Sequence, residues 1–164
     1  MLVCRNQFLY ERKTMENGKM IKILLVDDDE DCRLMIKDAI RDANIKNDVF
    51  EVCSGEEALD FLYKKGRHQS APTPGLIYLD IDMPGISGQE LLKMIKSDEK
   101  VSKIPVVMLT NLNDEKEKAT AAQNGANSYT IKSSDPLKFI STVIEATNYW
   151  LCIHQHVRYS DTSE

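Results

Sequence analysis

The chain has 164 residues, of which 42% are hydrophobic and 29% are charged, and its formal net charge is −5. This length and composition predict one globular domain with its own core and argue against a disordered or fibrous chain. The negative charge argues against a nucleic-acid partner, and the lack of any apolar run near ~20 residues argues against a membrane span.

The beginning of the chain lacks the features of a folded domain. Residues 1–19 show no periodic pattern, and they have neither the apolar run nor the cleavage site of a signal peptide. We therefore expect a poorly ordered leader there. The four cysteines are scattered without a CxxC pair, which predicts reduced thiols in a cytoplasmic protein and no zinc site.

From Met20 onward, short apolar segments alternate with amphipathic ones. The predicted strands cover residues 20–26, 49–53, 76–79, 105–109 and 128–131. The predicted helices cover residues 31–44, 54–65, 113–124 and 135–151, and one more begins at Ser87. A loop rich in Pro, Gly and Ser, residues 66–75, precedes the third strand.

Apolar positions at helical spacing predict which helix faces are buried. They are Leu34, Met35, Ala39 and Ile40 in the first helix, Leu91, Leu92 and Ile95 in the third, and Leu137, Ile140, Val143, Ile144, Thr147 and Leu151 in the last. Ser54 followed by Glu57 three residues later predicts a capping box at the start of the second helix.

Five strands alternating with helices predict an α/β fold, a doubly wound parallel sheet with helices on both faces. In such sheets ligands bind beyond the carboxyl ends of the strands, at the switch point of the strand order. Polar side chains follow four of the predicted strands at these ends: Asp27, Asp28 and Asp29 after the first, Asp80 after the third, Thr110 after the fourth and Lys132 after the fifth.

Each of these residues also has an ordinary structural interpretation. The acidic run could cap the first helix, and Asp80 and Asp82 could belong to a turn. Thr110 could cap the next helix, and Lys132 could be a solvated loop lysine. Their joint occurrence at four strand ends favours a common site. Crowded carboxylates require a cation, for which Mg²⁺ is suited, and a lysine and a hydroxyl suit a bound phosphoryl group.

The motifs at these strand ends resemble those of the response regulator receiver domains of two-component signalling. LLVDDDED matches the acidic pair, LIYLDIDMPGISG the phosphoacceptor, VVMLT the hydroxyl, and GANSYTIKS the lysine with its preceding aromatic residue. The resemblance covers Met20 to about Leu151. It implies a flavodoxin-like receiver domain with strand order 2-1-3-4-5 at residues 20–151, followed by a tail at residues 152–164.

Carried over by position, the resemblance implies a phosphoacceptor and a metal site. Asp80 would accept a phosphoryl group from the phosphohistidine of a sensor histidine kinase. Asp28 and Asp80, with the backbone carbonyl of Asp82, would ligate Mg²⁺. Asp27 would reach the metal through water.

The resemblance also implies a lysine and two switch residues. Lys132 would pair with Asp80 and then with the phosphoryl group. Thr110 would swing inward to hydrogen-bond that group, and Tyr129 would turn inward in concert. The charge that phosphorylation adds, near −2, would bias the domain between two packings.

Two positions depart from the commonest family pattern. Ser133 follows Lys132 where the family usually has proline, often with a cis bond. Asp82 is acidic where many receivers carry an amide or a basic residue, and its side chain borders the path of the attacking water.

The chain also resembles a subgroup, the small regulators that partner bacterial phytochrome kinases. The resemblance rests on three features: the dipeptide Lys132-Ser133 after the fifth strand, the long loop before the third strand, and the pair Tyr149 and Trp150. In that subgroup the last helix and the segment after it tend to support homodimers. The apolar residues in this region are Trp150, Leu151, Ile153 and Val157. For Trp150, packing against the last helix is an equally good interpretation.

Two other functions are compatible with parts of the pattern. Asp80-Ile81-Asp82 after an apolar strand also resembles the haloacid-dehalogenase phosphatases, although Pro84 stands where that family has Thr or Val. A degenerate receiver that binds a partner without phosphorylation is the second alternative, although all the required residues are present. With no DNA-binding or catalytic module evident after Leu151, we expect a non-enzymatic protein whose output comes through protein contact.

Overall fold

The computed structural model describes residues 15–16, 19–111 and 115–153, with the side chains of residues 20–111 and 115–151. The strands of its main sheet are β1 (Ile23–Val26), β2 (Val49–Val52), β3 (Leu76–Asp80), β4 (Val106–Thr110) and β5 (Ser128–Ile131). The helices are α1 (Glu30–Asp42), α2 (Gly55–Leu62), α3 (Gly88–Ser97), α4 (Glu115–Gln123) and α5 (Pro136–Asn148). A 3₁₀ turn covers Gly66–His68, and a π-helical turn, Tyr149–Ile153, follows α5.

The five strands pair in parallel in the order β2-β1-β3-β4-β5, which confirms the predicted fold and strand order. The pairing is in register at the carboxyl ends, where Val26 lies between Val52 and Leu79. Thr110 likewise pairs with Ile131. The residues that follow the strands are therefore brought to one edge of the sheet.

One hydrophobic cluster covers each face of the sheet. Leu24 and Leu79 of the strands pack with α2, α3 and α4 on one face. Leu25 and Tyr78 pack with α1 and α5 on the other face. Because β1, β3 and β4 are buried along their whole lengths, their sequences are continuous apolar runs, as expected for the central strands of a parallel sheet.

Two helix faces differ from the prediction. Leu34 of α1 and Leu137 of α5 are 55% and 78% exposed, and so lie outside the core. The buried residues are Cys32, Ile36, Ala39 and Ile40 in α1, and Phe139, Val143 and Thr147 in α5. Each helix carries two adjacent apolar stripes of similar spacing, and its docking angle on the sheet selects one of them. The predicted face of α3 is confirmed.

The predicted capping box of α2 is wrong in one of its two bonds. Ser54 Oγ accepts a hydrogen bond from Glu57 N at 3.1 Å, as expected. The Glu57 carboxylate, however, accepts a hydrogen bond from Cys53 N rather than from Ser54 N. The same carboxylate also binds the side chains of Arg67 and His68 in the 3₁₀ turn that follows α2. A complete box forms at α3, between Ser87 and Glu90.

The two predicted terminal segments lie largely outside the described residues. Of the leader, only Met15–Glu16 and Lys19 are described, and with Met20 they form a two-residue antiparallel ladder. Of the tail, only the end of the π-helical turn is described. Trp150 and Leu151 are buried in the cluster beside α1 and α5, and Trp150 Nε1 donates to Ser128 Oγ at 3.1 Å. These two residues thus complete the packing of the last helix.

Within the described ranges, no helix is both long enough and apolar enough to cross a membrane.

Candidate functional site

Three aspartates converge at the carboxyl edge of the sheet. Asp27 and Asp28 follow β1, and Asp80 ends the neighbouring strand β3. Carboxylate oxygens of the three lie within 4.8 Å of one another. Asp27 and Asp80 are buried, whereas Asp28 is exposed. Asp29, the fourth acidic candidate, instead caps α1 by accepting from Asp31 N and Cys32 N.

Lys132 follows β5 and reaches into this acidic cluster. Its Nζ lies 2.9 Å from Asp80 Oδ1 and 2.7 Å from Asp27 Oδ2. The pairing with Asp80 was expected, and the pairing with Asp27 was not. Burial disfavours the charge of Lys132, but its contacts with Asp27 and Asp80 outweigh burial and raise its pKa above the ordinary value. Lys132 is therefore a permanent cation at neutral pH.

The environment of Asp80 disfavours its charge. Burial is the largest cause and raises its pKa to about 6, and the charges of Asp27 and Asp28 act in the same direction. The hydrogen bond and the charge of Lys132 oppose these effects. Asp80 is thus mostly ionised at neutral pH, in a site where one lysine faces three carboxylates.

The donor set fits a small divalent cation. Asp27 Oδ2 and Asp80 Oδ1 are both buried, and both face the same ammonium group, Lys132 Nζ, so one positive charge is shared between two carboxylates. Buried carboxylate oxygens require compensation, and a hard cation supplies it through oxygen ligands. Asp28, exposed at the rim, completes a set of three carboxylates that could hold such an ion. The carbonyl of Asp82 remains a prediction.

The loop after Asp80 is held by close backbone packing, which the sequence did not reveal. Ile81 N donates to Leu109 O at 3.0 Å, and Gly88 N donates to Ile81 O at 2.9 Å. A Cβ atom at Gly88 would lie only 2.0 Å from Asp80 O. Glycine in the stretch MPGISG is the signal that could have indicated this close approach.

The two predicted switch residues contact α4. Thr110, buried at the end of β4, places Oγ1 3.5 Å from Glu117 Oε2. Tyr129, half-buried, donates its hydroxyl hydrogen bond to Lys118 O at 3.1 Å. The sheet thus brings Asp27, Asp28, Asp80 and Lys132 into one cluster and places Thr110 at the adjoining strand end, while the Tyr129 hydroxyl binds the backbone of α4.

The loop after Lys132 differs from the common family pattern at Ser133. Its Oγ accepts a hydrogen bond from Asp135 N at 3.2 Å, just before α5. Asp135 in turn caps α5, with Pro136 in its first turn. No peptide bond among the described residues is cis.

The fold and the acidic cluster together define a receiver domain. Residues 23–144 match the family described as the response regulator receiver domain. The chain therefore belongs to this family of two-component signalling proteins, and not to the dehalogenase phosphatases considered above.

The chain is related both to phytochrome response regulators and to chemotaxis proteins. It is 29% identical over 129 residues to response regulator Rcp1 of Synechocystis sp., covering 79% of this chain and 88% of that protein. It is 38% identical over 115 residues to chemotaxis protein CheY-3 of Vibrio cholerae, covering 70% and 82%.

Solved structures of the phytochrome group share the fold. The phosphorylated cyanobacterial phytochrome response regulator RcpA matches with a TM-score of 0.79 at 30% identity, covering 84% of this chain and 99% of that one. The Mn²⁺-bound form of response regulator Rcp1 matches with a TM-score of 0.78 at 27% identity, again covering 84% and 99%. The chain is thus a receiver-domain response regulator whose relatives include phytochrome regulators.

Proposed function

We propose that Asp80 accepts a phosphoryl group from a sensor histidine kinase in a Mg²⁺-dependent reaction, and that the cytoplasmic domain then signals by protein contact. The observation that carries this proposal is the burial of Asp80 between Lys132 and two further carboxylates at the edge of the sheet. The phosphorylated form of RcpA, a related structure, supports phosphorylation as the signal of this chain.

The transfer is a nucleophilic displacement at phosphorus. A carboxylate oxygen of Asp80 attacks the phosphorus of the phosphohistidine, and a new O–P bond forms. The N–P bond breaks, and its electron pair stays on the imidazole nitrogen of the kinase. Lys132, 2.9 Å from Asp80, provides a fixed positive charge beside the incoming oxygens.

The metal would be held by Asp28 and Asp80 with the Asp82 carbonyl, and by Asp27 through water. When bound, Mg²⁺ neutralises charge on the phosphoryl oxygens and orients them. The Mn²⁺-bound form of Rcp1, a related structure, supports divalent-cation binding by this chain. The three clustered carboxylates of this chain provide the matching donors.

Thr110 and Tyr129 would convert phosphorylation into a change of surface. Thr110 would leave its 3.5 Å contact with Glu117 and hydrogen-bond the phosphoryl group. Tyr129 would exchange its bond to the backbone of α4 for an inward position. The face formed by α4, β5 and α5 would change as a result.

Phosphorylation of Asp80 can be tested by intact mass after incubation with Mg²⁺ and acetyl phosphate. The parent is expected to gain one phosphoryl group, and Asp80→Asn is expected to gain none. Asp60→Asn, the same change at an exposed position of α2, is expected to behave like the parent. A chelator should abolish the gain. No gain in the parent would contradict the proposal and favour the degenerate receiver.

The kinase class is proposed from the relatives. Because they include both phytochrome and chemotaxis regulators, transfer from an autophosphorylated phytochrome-type kinase should be compared with transfer from a chemotaxis-type kinase. We expect faster transfer from the phytochrome-type kinase, because the structures of the phytochrome regulators RcpA and Rcp1 match this chain over most of its length. Equal or slower transfer would contradict this assignment and leave phosphorylation by acetyl phosphate unaffected.

A homodimer through α5 and the segment after it remains a prediction. Trp150 is 6% exposed and Leu151 is 2% exposed, so neither offers much surface to a partner. Tyr149, next to them, is 46% exposed.

A further inference from the structure

Arg33 makes a short hydrogen bond to the backbone of the acidic cluster. It lies in the first turns of α1, and its Nη1 donates to the carbonyl oxygen of Asp27 at 2.6 Å. A bond from a guanidinium at this distance is charge-assisted and strong. The carbonyl belongs to the planar peptide group that joins Asp27 to Asp28. The hydrogen bond therefore fixes the orientation of this peptide group and of the backbone nitrogen of Asp28.

The Arg33 side chain is itself held in place. It is 14% exposed, and its Nε lies 3.7 Å from Glu51 Oε2 on β2. Lys37, one turn further along α1, binds the other oxygen of Glu51 at 3.1 Å. The Arg33 guanidinium thus lies between the Asp27 carbonyl, to which it donates a hydrogen bond, and the Glu51 carboxylate, with which its buried Nε makes a longer ionic contact.

Asp27 is consequently restrained at three acceptor atoms. Its carbonyl binds Arg33, its Oδ1 accepts from Asp29 N at 3.0 Å, and its Oδ2 faces Lys132 at 2.7 Å. Asp28, the next residue, is exposed. The direction of the Asp28 carboxylate therefore depends on the backbone that Arg33 holds.

We infer that Arg33 is a positioning residue of the divalent-cation site, which aims the Asp28 carboxylate by binding the Asp27 carbonyl. This inference rests on the proposed cation site. Partners beyond the direct ligands commonly change metal affinity by about 10-fold or more when they are removed.

Charge and positioning predict opposite effects, which makes the inference testable. Arg33 is a cation next to the acidic cluster, so charge alone predicts that its removal tightens cation binding. Loss of positioning predicts weaker binding. Lys37→Ala is a matched control. It removes a cation of the same helix that also pairs with Glu51, and it leaves the hydrogen bond between Arg33 and Asp27 in place.

The experiment is a calorimetric titration of the full chain with Mn²⁺. Arg33→Ala is expected to bind Mn²⁺ about 10-fold more weakly than the parent. Lys37→Ala is expected to bind as tightly as the parent or more tightly. Arg33→Lys keeps the positive charge and a hydrogen-bond donor, so its Mn²⁺ affinity should lie between those of the parent and Arg33→Ala. This variant provides the measurement if the alanine variant does not fold.

A second measurement tests the positioning role of Arg33 independently of whether the cation site exists. In amide NMR spectra without metal, Arg33→Ala and Arg33→Lys should shift the Asp28 signal, and Lys37→Ala should not. Arg33 variants that bind Mn²⁺ at least as tightly as the parent, or an unshifted Asp28 signal, would overturn the inference. A parent that binds no Mn²⁺ would refute the proposed cation site, and the Asp28 signal would still decide whether Arg33 orients this peptide.

Discussion

Gly88→Ala is expected to lower the free energy of unfolding by about 3 kcal/mol and to abolish phosphoryl acceptance at Asp80. An added Cβ would lie 2.0 Å from Asp80 O and 2.7 Å from Ile81 Cα. Both neighbours are backbone atoms of the buried strand end, so neither can move aside without displacing Asp80. Denaturant unfolding measures the first effect, and intact mass with Mg²⁺ and acetyl phosphate measures the second.

Gly66→Ala is the matched control for this prediction. Gly66 has a positive φ of +52°, but no atom lies within 4 Å of an added Cβ. We expect Gly66→Ala to lower the free energy of unfolding by about 1 kcal/mol through backbone strain and to leave phosphorylation intact. If Gly88→Ala accepted phosphate like the parent, the close packing of α3 on the acceptor strand would not matter for the site.

Asp80→Asn is expected to stabilise the metal-free protein at neutral pH by about 2 to 3 kcal/mol, although it removes the proposed phosphoacceptor. Burial raises the pKa of Asp80 to about 6 from an ordinary value of 3.8. The folded protein therefore binds a proton more tightly than the unfolded chain does. Above pH 6, folding must place an ionised carboxylate in a site that disfavours its charge.

The sign of the pH dependence follows from this raised pKa. The stability associated with Asp80 is fully present below about pH 4 and is lost as the pH rises through about 6. Asparagine carries no such charge, so the advantage of Asp80→Asn should grow between pH 4 and 6 and vanish at lower pH. Unfolding free energies of both proteins in chelator, measured across this range, test the prediction.

Two comparisons make the Asp80 prediction specific. Asp60→Asn, at an exposed position, is expected to leave stability unchanged within about 0.5 kcal/mol at every pH. Adding Mg²⁺ should reduce the difference in the free energy of unfolding between the parent and Asp80→Asn, because a bound cation stabilises the charged carboxylate. An Asp80→Asn variant less stable than the parent at pH 7 in chelator would show that Lys132 dominates the environment of Asp80.

The stability of the acidic cluster and its function are thus in opposition. Three carboxylates lie close together, and one lysine pairs with two of them, at Asp27 Oδ2 and Asp80 Oδ1. Such a site is costly when empty and is improved by a cation or by a proton on Asp80. The cluster of carboxylates therefore opposes the folding of the sheet, and it favours the proposed cation binding and phosphoryl transfer.

The sequence alone determined the sheet and the members of the acidic cluster. The central strands are buried on both faces, so they appear as continuous apolar runs that end at a polar residue. Parallel pairing brings those ends together, whatever the detailed packing of the helices. For this reason Asp80 and Lys132 could be placed together although they lie far apart in the chain.

Only the tertiary structure decided how helices and loops meet that sheet. Local spacing could not tell that Leu34 and Leu137 face outward, because helix docking chooses between neighbouring apolar stripes. Nor could it show that Lys132 also binds Asp27, or that Arg33 binds the Asp27 carbonyl. Helical periodicity is a property of one segment, whereas these contacts depend on the distance and angle between segments, which the packed core sets.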